Sequence, residues 1–325
     1  MVRALQMNSA ESTAELVDRD LPVLQDGDVR VQVDWSGVNY KDAMIVTGLR
    51  GFMREFPRVT GIDLAGVVVE SRDPAWHVGD RFMINGRGLS EHLDGGFTDE
   101  TVVAGHLGTR VPEVFSLREA AAIGTAGFTA ALSVRALERY GIGEGPILVT
   151  GPTGGVGSIA IALLAARGYT VTAATGRPEH ADLLHRLGAT DVIDRSALTP
   201  TKPLQSERWG GAVDVTGGEV LAGILTQLQY NTAVAASGRA AGPDLTASMM
   251  PFILRNVALL GVNSVLADDQ AREESWQILA ESLDRALLAE LVTEVALEDV
   301  VDVAQGLLAG QRVGRAVVRL SGGDA

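Results

Sequence analysis

The chain of 325 residues is 46% hydrophobic, long enough for two domains that each bury a core. Its formal net charge of −14 disfavours nucleic acid or an anionic membrane surface as a partner. It holds no cysteine, which excludes disulfides, thiolate metal sites and a cysteine nucleophile. The first residues lack the apolar run of a signal peptide, and the most apolar stretch, 159–166, is far shorter than the ~20 residues that span a bilayer. A soluble cytoplasmic protein is expected, and residues 322–325 read as a frayed tail.

The chain opens on short β signals at 4–7 and 29–35, separated by Pro22 and an Asp-Gly-Asp turn at 26–28. The segment 36–42 reads as a turn feeding a short helix over 40–47. Strand-like runs follow at 61–70, 79–84 and 97–103, with a polar, glycine-rich loop over 86–96. So many short strands imply a small barrel-like β domain over the first 115 residues or so. At Ser116 the pattern changes: Ser116 and Glu119 have the spacing of a capping box, which predicts a helix broken at Gly124 and resumed to Tyr140. From 147 onward strands alternate with helices. Strands are predicted at 147–150, 170–175, 191–193, 212–215, 232–236 and 259–262; helices fit 158–167, 178–187, 220–228 and 275–288. This rhythm means an α/β, doubly wound parallel sheet of Rossmann type. A helix over 297–309 and a strand over 315–320 return to the first domain.

The stretch 147–166 combines a buried strand, a glycine turn and a helix N-terminus, which together make an anion site. Gly151, Gly154 and Gly157 have the spacing G-x-x-G-x-x-G, and Thr153, Gly155 and Val156 complete the turn. Glycines allow the backbone to approach a pyrophosphate closely. About 20 residues past such a turn an NAD site carries an acid for the ribose 2′-OH. Here the chain reads Thr175-Gly176-Arg177. A hydroxyl and a guanidinium suit a 2′-phosphate, so NADPH is the expected cofactor. Gly217, Gly238 and Ser237 follow predicted strand ends, where open α/β sheets hold ligands.

The stretches WSGVNYKDA (35–43), TGIDLAG (60–66), GTAGFTAAL (124–132), VTGPTGGVGS (149–158), TGR (175–177), LGA (187–189) and MPFILRNVALLGVNSV (250–265) span nearly the whole chain. On these motifs the chain resembles the medium-chain dehydrogenase/reductase superfamily, and within it the acrylyl-CoA reductase (AcuI/YhdH) group. The resemblance implies a GroES-like β-barrel substrate domain, 1–118 with 289–325, and a Rossmann NADPH-binding domain, 119–288. It implies reduction of the acryloyl-CoA double bond to propanoyl-CoA. It also brings Thr125, Thr129 and Asn263 in as candidate cofactor contacts; core packing is the alternative for the two threonines. Zinc-dependent relatives carry Gly-His-Glu where this chain has Gly61-Ile62-Asp63, and the five histidines show no ligand spacing, so no metal is expected.

Hydride addition to an unsaturated thioester leaves the α-carbon in need of a proton. Tyr40 is the candidate donor, since a phenol stays protonated near neutral pH. Water is the alternative donor, and Tyr40 could instead be a half-buried aromatic bonded to backbone. Asn39 could hold the carbonyl oxygen or orient the substrate. Lys41 and Asp42 are expected to form a local ion pair, and Asp63 to be architectural. Arg255 and Arg87 are candidate contacts for the CoA phosphates, with Arg50, Arg54 and Arg58 as further cations; Arg255 could otherwise hold the domains together. The apolar strand 259–262 could pair edge to edge in a homodimer. A zinc-free quinone or enone reductase, and a catalytically idle NADPH-binding protein, are the alternative functions.

Overall fold

Val29, Val31 and Val33 point inward while Asp28, Arg30 and Gln32 alternate with them, and the protein, seen as a computed structural model, extends this run into its longest strand. The structure describes every residue except Arg50, Arg54 and 321–325, so the expectations for those two arginines and for the tail lie outside the described residues. The described chain divides into two units, Met1–Thr125 with Leu288–Ala325, and Ala126–Leu287.

The first unit holds β1 (Val2–Met7), β2 (Glu15–Arg19), β3 (Asp28–Val38), α1 (Tyr40–Val46), β4 (Arg58–Val59), β5 (Asp63–Ser71), β6 (Arg81–Asn85), β7 (Glu100–Ala104) and β8 (Thr109–Arg110). α2 (Leu117–Tyr140) begins in it. The Ser116 N–H donates to Glu119 Oε2 (2.8 Å) and the Glu119 N–H to Ser116 Oγ (3.2 Å), so the capping box forms. The expected break at Gly124 is present as a kink inside α2, where φ 49° and ψ −160° are non-helical and separate two helical stretches. By length and composition α2 could cross a membrane, yet 89% of its most apolar window is buried inside the fold.

In the second unit a six-stranded parallel sheet is built from β9 (Ile147–Thr150), β10 (Val171–Thr175), β11 (Asp191–Asp194), β12 (Gly211–Asp214), β13 (Ala233–Ala236) and β14 (Ala258–Gly261). Its spatial order is β11-β10-β9-β12-β13-β14, the Rossmann order, with the switch point between β9 and β12. The helices are α3 (Gly155–Ala166), α4 (Ala181–Arg186), α5 (Gly218–Gln227), α6 (Met250–Arg255) and α7 (Asp269–Ser282). Leu148, Trp209, Ala212, Ile224, Leu225 and Val234 form part of its core.

The chain then returns to the first unit through α8 (Arg285–Leu291), β15 (Val292–Ala296), α9 (Val300–Leu308) and β16 (Arg315–Arg319). β16 pairs antiparallel with β3, and Leu297, Val300, Val303 and Val318 join Val29, Val31, Val33, Phe82 and Phe97 in one core. Burying those four apolar side chains, at roughly 1.5–3 kcal/mol each, is what holds the return. The helix predicted over 275–288 is two helices. Asp268 caps the first by accepting the Ala271 N–H (2.7 Å), and Asp284 accepts the Ala286 N–H (2.7 Å) to start the second. β2 and β15 were not expected as strands.

Candidate functional site

At the end of β9, Gly151 adopts φ 55°, and a Cβ on Gly157 would lie 2.3 Å from the Gly151 carbonyl oxygen. Only glycine permits this packing of the helix start onto the strand end. Gly154 is the N-cap of α3 and offers no side-chain acceptor, while Gly154, Gly155 and Val156 remain partly open to solvent. The first N–H groups of α3 are therefore available to an anion. Thr153 is buried within this turn, and Arg177 donates through Nη2 to its hydroxyl.

Beside it, the Arg177 N–H donates to Thr175 Oγ1 (3.0 Å), closing the turn that ends β10. Arg195, which sequence reasoning missed, lies across Gly176: a Cβ there would sit 3.3 Å from its Nη2. The reason is register. Thr175 pairs with Asp194, so the residue after β11 lands beside the residue after β10. A cavity of about 370 Å³ opens here, lined by Gly176, Asp194, Arg195, Ser196, Thr199, Glu219 and Val220. Asp194 turns its carboxylate onto Ser196, and hydrogen bonds from the Ser196 hydroxyl and then its N–H (2.7 Å), with Arg195 nearby, hold its pKa below the usual range.

Across the switch point Asp214 accepts from Thr150 Oγ1 (2.6 Å), Thr216 Oγ1 (2.6 Å) and the Gly217 N–H (2.8 Å). This buried carboxylate shapes the turn in which Gly217 and Gly218 take φ 69° and 57°. Gly238 packs so closely that a Cβ would meet the Val215 carbonyl oxygen at 2.1 Å. Next to it the buried Ser237 hydroxyl has no hydrogen-bond partner among the described residues. An orphaned hydroxyl, a bare helix N-terminus and two arginines flanking Gly176 fit a dinucleotide phosphate chain and an adenosine phosphate.

In the first unit, the turn before α1 is organised by buried carboxylates. Asp42 is fully buried: its Oδ2 accepts the Asn39 N–H (2.8 Å) and Asn39 Nδ2 (2.9 Å), and its Oδ1 accepts the Ile62 N–H (2.8 Å). Burial, and then the neighbouring Asp63 charge, push its pKa up to about 7 against the pull of those three hydrogen bonds. Asp63 accepts from Asn39 Nδ2 (2.7 Å), Asn85 Nδ2 (2.9 Å), Thr125 Oγ1 (2.6 Å) and the Thr125 N–H (2.9 Å). It caps α2 just past the kink. Tyr40, the first residue of α1, is 45% exposed, and its hydroxyl makes no hydrogen bond among the described residues.

Sequence profiles of two families match the chain: the alcohol dehydrogenase GroES-like domain over 25–129 and the zinc-binding dehydrogenase over 155–281. An acrylyl-CoA reductase, AcuI, from Ruegeria pomeroyi is 44% identical over 92% of this chain and 91% of its own length. The crystal structure of the yhdH oxidoreductase from Salmonella enterica, in complex with NADP, superposes with a TM-score of 0.94 at 40% identity, covering 98% of this chain and 99% of that one. Bacillus subtilis yhfP, solved with NAD bound, gives 0.92 at 41% identity, covering 98% and 99%. The chain belongs to the acrylyl-CoA reductase group of the medium-chain dehydrogenase/reductase superfamily.

Several residues of this reductase chain have partners other than those expected. Asn39 cannot hold a substrate carbonyl, because its Nδ2 donates to Asp42 and Asp63 and its Oδ1 accepts from Arg315 Nη1 (3.0 Å). Lys41 pairs with Glu91 rather than Asp42, because Asp42 sits at the third helical position and turns inward. Thr125 gives its hydroxyl to Asp63, so it fixes the kink; Thr129, also buried, lies one turn on. Arg255 is 9% exposed and donates to the carbonyls of Thr226 (2.9 Å), Leu228 (3.2 Å) and Gln205, with its Nε 3.2 Å from Glu207. That guanidinium ties loops of the second unit together and is not left for a CoA phosphate or for the other domain. Asn263 accepts the Val265 and Leu266 N–H groups (3.0 and 3.2 Å) and closes a local turn. Arg87 is partly buried in the glycine-rich loop with φ 46°, and Arg58 pairs with Glu55 (2.9 Å).

Proposed function

We propose that the chain reduces the 2,3 double bond of acryloyl-CoA to give propanoyl-CoA, with NADPH as reductant and without zinc. The observation that carries this reading is Tyr40, exposed and with no hydroxyl partner among the described residues, on a turn fixed by two buried carboxylates. NADPH, when bound, supplies a hydride for the β-carbon. The N-terminus of α3 would hold its pyrophosphate, and Arg177 and Arg195 would bracket its 2′-phosphate.

Negative charge then builds on the thioester oxygen and the α-carbon takes a proton. Tyr40 gives its phenolic proton to that carbon and regains one from solvent, to which it is open. Zinc would need a cluster of donor side chains, and none is found among the described residues. Ile62 stands at the position of the histidine in zinc-dependent relatives, and the Asp63 oxygens are already engaged by Asn39, Asn85 and Thr125. Among the described residues, Arg87 stays a candidate for the CoA phosphates.

A homodimer through β14 fits the apolar surface there: Leu259, Ile253 and Leu254 are 38%, 67% and 54% exposed on the edge strand and the adjoining α6. Light scattering in solution checks it, and a monomer at working concentration would exclude it.

NADPH oxidation over acryloyl-CoA, crotonoyl-CoA and a quinone tests the substrate. Turnover highest with acryloyl-CoA supports this reading. Turnover with the quinone alone favours the quinone-reductase alternative, and NADPH binding without turnover favours an idle binding protein.

A further inference from the structure

Arg315 opens the last strand, far along the chain from Tyr40, yet it reaches the residues just before it. Its Nε donates to the Ala122 carbonyl (2.7 Å), and its Nη1 donates to the Val38 carbonyl (3.0 Å) and to Asn39 Oδ1 (3.0 Å). The guanidinium is fully buried, and its Nη2 has no hydrogen-bond partner among the described residues. Two glycines border that nitrogen. A Cβ on Gly37 would lie 2.7 Å from Arg315 Nη2 and 3.1 Å from Asp63 Oδ2, and one on Gly124 would lie 2.8 and 2.5 Å from the same two atoms. Arg315 and Asp63 therefore face a gap that only glycines leave open.

Burial works against the guanidinium charge, and Asp63 and Asp42 hold it in place. Two acids and one base, all buried, thus join four segments: the turn 37–42, the start of β5, the kink 122–125 and the start of β16. A buried charge set of this kind is weak evidence for stability but fixes geometry, because each partner has one arrangement that satisfies it.

We propose that Arg315 is a positioning residue for Tyr40: by gripping the Val38 carbonyl and the Asn39 amide it sets the direction in which the phenol leaves the turn. This rests on the reading of Tyr40 as proton donor. The fork geometry matters, since three acceptors on two segments are met in one plane. A lysine ammonium in its place is a point charge without that fork.

Arg315→Lys is expected to lower kcat with acryloyl-CoA about 10²-fold, the loss that follows a displacement of about 1 Å at a reacting group. The dissociation constant for NADPH stays near its wild-type value. In a Tyr40→Phe background the same change costs only about threefold, because both variants remove one function. A wild-type kcat in Arg315→Lys, or an equal loss in both backgrounds, overturns the proposal. A spectroscopic readout needs no substrate. With tyrosine labelled at its ring Cζ, the Tyr40 signal, identified by its absence in Tyr40→Phe, should move in Arg315→Lys while those of Tyr140, Tyr169 and Tyr230 stay. An unmoved Tyr40 signal also overturns it. If the wild-type enzyme does not reduce acryloyl-CoA, the functional reading fails and the spectrum still decides the positioning role. Should Arg315→Lys not fold, Gly37→Ala, which puts a methyl against Nη2, is read by the same spectrum.

Discussion

Replacing Asp42 with asparagine should remove a pH dependence of stability that runs opposite to that of most aspartates. The ordinary value of 3.8 applies to the unfolded chain, while in the folded chain burial and Asp63 push the Asp42 pKa up to about 7. Between these values the folded chain holds a proton that the unfolded chain has lost. Stability therefore falls as pH rises through this window, by about 1.4 kcal/mol per pH unit, and levels off above pH 7. The whole span corresponds to about 4 kcal/mol, an appreciable part of a domain's stability. Urea unfolding is the assay, followed by Trp35 and Trp76 of the first unit in a background where Trp209 and Trp276 of the second unit are phenylalanine. From pH 5 to 7 the parent should lose roughly 2–3 kcal/mol relative to Asp42→Asn, whose curve lacks this component. Parallel curves over that range would refute the assignment of a proton to buried Asp42.

Three further outcomes follow from the site. Tyr40→Phe should lower kcat with acryloyl-CoA by about 10²-fold or more and leave NADPH binding unchanged; a kcat within a few-fold of wild type hands the proton to water. Arg177→Ala and Arg195→Ala should each weaken NADPH by roughly 10- to 100-fold, the worth of a charge-assisted hydrogen bond, while leaving NADH alone. Equal effects on both cofactors in steady-state kinetics would place neither arginine at the 2′-phosphate. Arg255→Ala should destabilise the second unit by about 2–4 kcal/mol, since it strips donors from three carbonyls and removes the ion pair with Glu207. It should not change the ratio of KM for acryloyl-CoA to KM for a truncated thioester; a selective rise for the CoA ester would restore the phosphate role.

The nucleotide unit was legible because its signals are local. A buried strand, a glycine turn and an apolar helix lie side by side in sequence, and the residues after β10 follow at a fixed distance. Arg195 was hidden because its nearness to Gly176 depends on the register of β10 with β11, which no single segment carries. Arg255 and Arg177 look alike as sequence, each an arginine beside an apolar element. What separates them is that carbonyls from 205–228 converge on one, while the other reaches Thr153 in the glycine turn. The Asn39–Asp42 segment shows the same limit. Its residue types announced a polar turn, but the partners of Asn39 come from β5 and β16, and only the folded chain shows that its amide is already engaged. The long helix expected over 275–288 failed on a cap: Asp284 starts a new helix where hydrophobic periodicity alone continues the old one.

The central claim is most directly tested by single turnover of acryloyl-CoA with NADPH carrying deuterium at the transferred C4 position, the product analysed by mass spectrometry. Propanoyl-CoA bearing one deuterium, located at the β-carbon, is the expected result. Unchanged acryloyl-CoA, or a product labelled at the α-carbon, would contradict hydride addition to the unsaturated thioester by this enzyme.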